Sequence, residues 1–159
     1  MISRFRLSIV ALCIAGMLAG CGRVTNDLAF QAPAGWSGTP AMFGRIQAWV
    51  KPNKDKSGMQ MVMLVKGDAS KKAPDVAIVP SEYSKDIHII SRGSTKLCGT
   101  QPAEQSVAEG TSKDGPSRIE TISTVVGTDR YTAMYIRPAK MAPDKMAEAA
   151  IHSLCPLKQ

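Results

Sequence analysis

Met59, Met61 and Met63 alternate in the stretch MQMVM, and on an extended strand that spacing puts three thioethers on one face. Thioethers are soft ligands suited to Cu(I), so soft-metal binding is one chemistry this chain could perform. The same residues serve as flexible core filler, and Val62, Leu64 and Val65 beside them predict a buried strand. The two histidines, His88 and His152, stand at ligand spacing neither from each other nor from an acidic pair. No metal ligands and no cofactor are therefore assigned. Hydrolytic chemistry needs a nucleophile beside a base, yet the chain has neither G-x-S-x-G nor S-x-x-K. GTSKDG and SRGSTK read as turns and lack the phosphate-loop pattern. No catalytic residue is assigned, and the expectation is a protein that is not an enzyme. Trp36, Trp49, Tyr131 and Tyr135 belong to a small aromatic set, which favours a core role over a binding patch.

A fourth candidate chemistry is acylation. Arg4 and Arg6 precede an uncharged run from Leu7 to Gly20, apolar at its centre and ending in small residues, the order of a secretory signal peptide. The run falls short of the roughly 20 apolar residues of a membrane-spanning helix. Leu18-Ala19-Gly20-Cys21 resembles the bacterial lipobox, in which the cysteine receives diacylglycerol and becomes the first residue of the mature chain. The resemblance implies a lipoprotein with Cys21 as its lipidation (palmitate-type) site, residues 1–20 as signal, 21–27 as a short tether, and 28–159 as one globular domain. Two or more acyl chains anchor stably where one does not. The implied location is the bacterial cell envelope, facing the periplasm or exterior. Gly22, in place of the aspartate that favours inner-membrane retention, points to the outer membrane in a cell with two.

With Cys13 and Cys21 set aside, Cys98 and Cys155 remain. An exported domain with one pair is expected to bridge it. A redox or metal-thiolate pair is the alternative, but it lacks a C-x-x-C and nearby histidines. Loss of Arg4 and Arg6 would bring the formal charge from +7 to +5, and the excess lies in residues 45–96. A basic patch attracts phosphate-rich partners. In the envelope that means anionic headgroups and not nucleic acid, unless the lysines are simply solvated loop residues.

These residues need elements to position them. LAFQAPAGW reads as a short strand entering a Pro-x-Gly turn. MFGRIQAWV alternates, with Ile46, Ala48 and Val50 on one face and Phe43 and Trp49 on the other. MQMVMLVKG is apolar on both faces except Gln60, so it predicts a central strand. DIHIIS is another strand. Thr100 to Pro116 reads as loop, and RIETISTVV and RYTAMYIRP as a hairpin closed by Gly127-Thr128-Asp129. Near the end, Pro143 and Asp144 open an amphipathic helix of about three turns, with Ala147, Ala150, Ile151 and Leu154 as its stripe. The expected fold class is α+β: an antiparallel β-sheet meander with a C-terminal amphipathic helix packed on it.

FQAPAGW, the meander and the docked last helix resemble the Mog1/PsbP-like α/β/α sandwich. Tyr131, Tyr135, Arg137, Pro138, Ala149, Ser153, Leu154, Cys155 and Pro156, with CGTQPA, resemble small secreted relatives. The pattern departs in the middle, where a helix expected near residues 68–85 meets Pro74 and Pro80. Known relatives mostly bind other proteins. The expected function is thus a membrane-anchored, non-enzymatic envelope lipoprotein that binds an envelope protein or supports an assembly. The alternative is a copper-binding or copper-sensing lipoprotein using Met59, Met61 and Met63.

Overall fold

The structure, a computed structural model, describes residues 28–54, 58–71 and 85–157. The expected signal and tether, with Cys21, lie outside the described residues, as does most of the stretch near residues 68–85 where the resembled fold would have a helix. The elements are β1 (Leu28–Ala29), β2 (Ser37–Gly38), β3 (Ile46–Pro52), β4 (Met59–Asp68), β5 (Lys85–Leu97), β6 (Gln101–Ser112), β7 (Gly115–Val126), β8 (Asp129–Pro138), α1 (Lys145–Ile151) and β9 (Cys155–Pro156). Seven of them form one antiparallel sheet in the order β2-β3-β4-β8-β7-β6-β5, and β1 pairs with β9 in a separate two-stranded ribbon. An α+β class with a sheet-dominated core is what the alternation predicts.

Period-two alternation divides the sheet into two packed faces. One carries Trp49, Val62, Leu64, Ile122, Tyr131, Ala133 and Tyr135, covered by Leu28, Ala147, Ala150, Ile151 and Leu154. The other carries Met61, Met63, Val65, Ala108, Ile119, Met134 and Ile136, with Ile46, Ala48, Val50, Ile87 and Ile89 packed around them. Strand β4 has partners on both sides, β3 and β8, as its two-sided apolarity predicts. Gly38 in β2 sits against Trp49; a Cβ there would lie 2.9 Å from the indole Nε1, so only glycine admits the ring.

Four expectations are corrected. Residues 101–112 are not a loop but β6, paired along its length with β5 and β7. Its buried residues, Ala103 on one face and Ala108 and Gly110 on the other, are small, so apolar periodicity is faint while both neighbours supply ladder bonds. SRGSTK accordingly lies within β5 and is not a turn. Phe43 does not share a strand face with Trp49. It sits in a turn before β3, where Phe43 and Gly44 both take positive φ (52° and 63°) and the Arg45 N–H donates to the Met42 carbonyl at 3.0 Å. The helix spans Lys145–Ile151, shorter than three turns, because Asp144 caps it from outside and the chain leaves at His152. Ala147, Ala150, Ile151 and Leu154 are nonetheless all buried. Register breaks between Lys85 and His88 and between Ile89 and Ser91 bend β5.

Candidate functional site

The chain enters the described fold at a fixed corner. Leu28 pairs with Pro156 and Ala29 with Cys155, and Leu28 is 1% exposed among the helix-side residues. Cys155 and Cys98 stand at disulfide distance, with Cα atoms 5.8 Å apart. Cys98 follows β5 at the turn into β6, so the ribbon β1/β9 is joined to the sheet end where β5 and β7 finish and β6 and β8 begin. The Gln31 N–H donates to the Ser153 hydroxyl at 2.8 Å, extending the corner toward α1.

At that same end lies a cleft of about 440 Å³ lined by Arg45, Lys66, Gly67, Asp68, Lys71, Thr128 and Asp129. Register explains the gathering: Asp68 lies opposite Asp129, and Lys66 opposite Tyr131, while the Lys66 N–H donates to the Arg45 carbonyl at 2.7 Å. The Lys66 ammonium meets the Asp129 carboxylate at 2.7 Å. That hydrogen bond raises the lysine above its usual value. The hydroxyl and backbone N–H of Ser70 both donate to Asp68, holding its carboxyl below the usual range. The cleft thus stays charged on every group whose shift is resolved, an arrangement that can hold a phosphate among lysine and arginine.

A larger groove of about 720 Å³ opens beside it, lined in part by Ser94, Lys96, Gln101, Glu104, Ser123 and Arg130. Most of these alternate onto the methionine-bearing face, where Ser123 and Thr132 share a buried hydrogen bond at 2.9 Å. The groove combines cation, carboxylate and hydroxyl groups with the apolar surface of Pro102, Ala103 and Val125, a mixed lining of the kind protein segments occupy.

The opposite end is built around α1. The Tyr135 hydroxyl donates to Gln60 Oε1 and accepts the Asp144 N–H at 2.9 Å. Burial pushes this phenol up to about 12. Asp144 accepts the N–H groups of Met146 and Ala147 and pairs with Lys51 at 2.7 Å. Burial opposes ionisation of Asp144, but Lys51 and the two backbone donors outweigh it, and its carboxyl lies below the usual range. A depressed carboxylate contributes stability above its unfolded value and loses it as pH falls through the folded one. Melting temperature should therefore fall on acidification below about pH 4. Asp144→Asn, which keeps a capping oxygen, should be less stable at neutral pH and lose its deficit in acid. A deficit independent of pH would remove the ion pair from this account. Beside this network Arg137, 6% exposed, donates to Glu120 at 3.1 Å and to the Met141 carbonyl at 2.5 Å, tying β8 to the segment before α1.

The chemistry-bearing residues of the sequence scatter. Met61 and Met63 are buried among Met134, Ile136 and Val65, and Met59 is 44% exposed at the strand start. The three share a face as the alternation predicts, but two of them are apolar packing. His88 on β5 and His152, the residue after α1, are both exposed. Among the described residues, no cluster of three or more His, Cys, Asp or Glu could hold a metal. Trp36, Trp49, Tyr131 and Tyr135 are all core. The cationic cleft was missed as a unit. Its only sequence signal is the lysine excess of the middle third.

No known family and no curated protein sequence matches this chain. Solved structures do. A protein from Bacteroides thetaiotaomicron VPI-5482 matches with a TM-score of 0.52 at 18% identity, covering 83% of this chain and 46% of its own. This chain therefore spans about half of that structure. At such identity the likeness concerns the fold alone, a sheet-dominated α+β arrangement. A Pseudomonas aeruginosa protein of unknown function (TM-score 0.44, 8% identity, 59% of this chain and 69% of that one) lies further off. So does human StAR-related lipid transfer protein 5 (TM-score 0.30, 11% identity, 75% and 80%). Neither of these two carries an argument. Among the described residues, no helix is long and apolar enough to cross a membrane.

Proposed function

We propose that this chain is an acyl-anchored lipoprotein of the bacterial envelope whose sheet domain works by binding a protein partner, not by catalysis. The observation that carries the proposal is the lipobox LAGC, with Cys21 only seven residues before β1. Its support is the pinned corner at which β1 begins. Seven residues reach at most about 25 Å, so an anchor at Cys21 holds the domain beside the bilayer, facing the periplasm or exterior. The mixed polar and apolar groove around Lys96, Glu104, Val125 and Arg130 is the surface we assign to an envelope partner. Nucleic acid has no part in this reading. A Mog1/PsbP-like sandwich is the finer description of the fold we attach to it, supported by the terminal helix on one sheet face and a second apolar cluster on the other.

Cys21→Ala should abolish incorporation of a labelled fatty acid and leave unprocessed precursor, whereas the parent chain begins at an acylated Cys21. Normal labelling of the variant would overturn the anchor. A photo-crosslinking residue at Lys96 or Glu104 should then give a discrete protein adduct in intact cells; adducts to lipid alone would count against a protein partner.

A further inference from the structure

Seven large apolar side chains are exposed among the described residues, and Met42, Phe43, Val125 and Leu157 share one end of the sheet. Phe43 is 98% exposed, at the tip of the Met42–Arg45 turn. It takes a φ of +52° there, a conformation costly for a bulky residue and comfortable for asparagine or glycine. The fold gains neither packing nor backbone ease from a phenyl ring at this position. Strain held where it gives no stability is characteristic of a functional position.

What lies around the turn indicates its occupant. Ile46 opposite Val65 puts the turn at the end of the sheet that carries the Cys98–Cys155 corner and the entry of β1. Arg45, Lys66 and Lys71 gather behind it, against Asp68 and Asp129. An apolar tip backed by cations fits a bilayer interface, with the tip among acyl chains and the cations at headgroup phosphates.

We propose that the Met42–Arg45 turn is a membrane wedge, with Met42 and Phe43 entering the interfacial layer of the same bilayer that holds Cys21. This rests on the lipoprotein reading and adds to it an orientation. A tether alone leaves the domain free to tumble, whereas a second contact fixes the sheet end against the lipid and presents the neighbouring groove at a set height.

The test uses the full lipidated chain, reconstituted in phosphatidylcholine–phosphatidylglycerol vesicles with brominated acyl chains. Trp36 and Trp49 are buried and set the baseline. Phe43→Trp should lose roughly half of its added emission to bromine quenching. Met146→Trp, at an exposed position of α1 at the opposite end, should keep its emission. Equal quenching of both, or of neither, overturns the wedge. Mass analysis of Cys21 in the same sample separates the two claims: an unacylated cysteine sinks the lipoprotein reading, while an acylated one with an unquenched Phe43→Trp sinks only the wedge. Phe43→Asn guards against a folding artefact. Its melting temperature should equal or exceed the parent's, while Met42 oxidises several-fold faster in vesicles; an unchanged oxidation rate counts against insertion.

Discussion

Cys98→Ser should lower the free energy of unfolding by about 4 kcal/mol. The pair closes a loop of 57 residues, and in the chain-entropy treatment a loop of that size removes about this much from the unfolded state. The position of the bridge adds a second, local consequence. Cys155 belongs to β9, whose partner β1 carries the buried Leu28, so freeing it loosens the ribbon that closes one end of the helix-side core. Hydrogen exchange should thus rise first at Leu28–Ala29 and around Leu154, before the central strands. Chemical denaturation of the variant, and of the parent under reductant, measures the global term. A midpoint shift below about 1 kcal/mol in both would mean that the sheet needs no staple.

The other large effect is centred on Tyr135, which is fully buried in the helix-side core. Tyr135→Ala should cost about 3–5 kcal/mol through lost packing and the cavity left behind. Its ring meets Trp36 edge-on with centroids 6.2 Å apart and lies 6.0 Å from the Arg137 guanidinium. Tyr135→Phe separates the hydroxyl from the ring. Removing that oxygen takes the donor from Gln60 Oε1 and the acceptor from the Asp144 N–H. An orphaned buried polar group costs about 1–3 kcal/mol. Because Asp144 is also the cap of α1, helix docking should weaken in the phenylalanine variant as well. Paired denaturation curves decide it; a phenylalanine variant as stable as the parent would mean that Gln60 and Asp144 find other partners.

How much of this fold could be read in the sequence depended on residue size and on distance along the chain. The β4 and β8 stretches, rich in large apolar and β-branched residues, announce themselves as strands. The stripe of α1 is visible because Ala147, Ala150 and Ile151, with Leu154 just beyond, recur at helical spacing. The β6 stretch is not visible, because its buried residues Ala103, Ala108 and Gly110 are small and divided between the two faces, with exposed Glu104 and Gln105 among them. Its strand conformation is imposed by β5 and β7, an instance of sheet context outweighing local preference. The Met42–Arg45 turn was hidden because alternation from Phe43 to Trp49 continues numerically across a turn that interrupts it. Gln60 looked like a lone polar interruption; its partner, Tyr135, lies 75 residues away. The cationic cleft joins Arg45, Lys66 and Lys71 with Asp129 from β8, and no local pattern links those segments.

The bent strand β5 has a consequence for how copies of this chain meet. An open strand is a template for adding another chain, and the more crowded the copies are, the more often it is tried. One margin of this sheet is only the two-residue β2. The other is broken twice in register, carries Asp86 at a φ of +50°, and exposes Lys85, His88, Arg92 and Lys96. Neither margin offers a long, flat, neutral run of backbone. Neighbouring copies can therefore stand side by side without zipping into one continuous sheet.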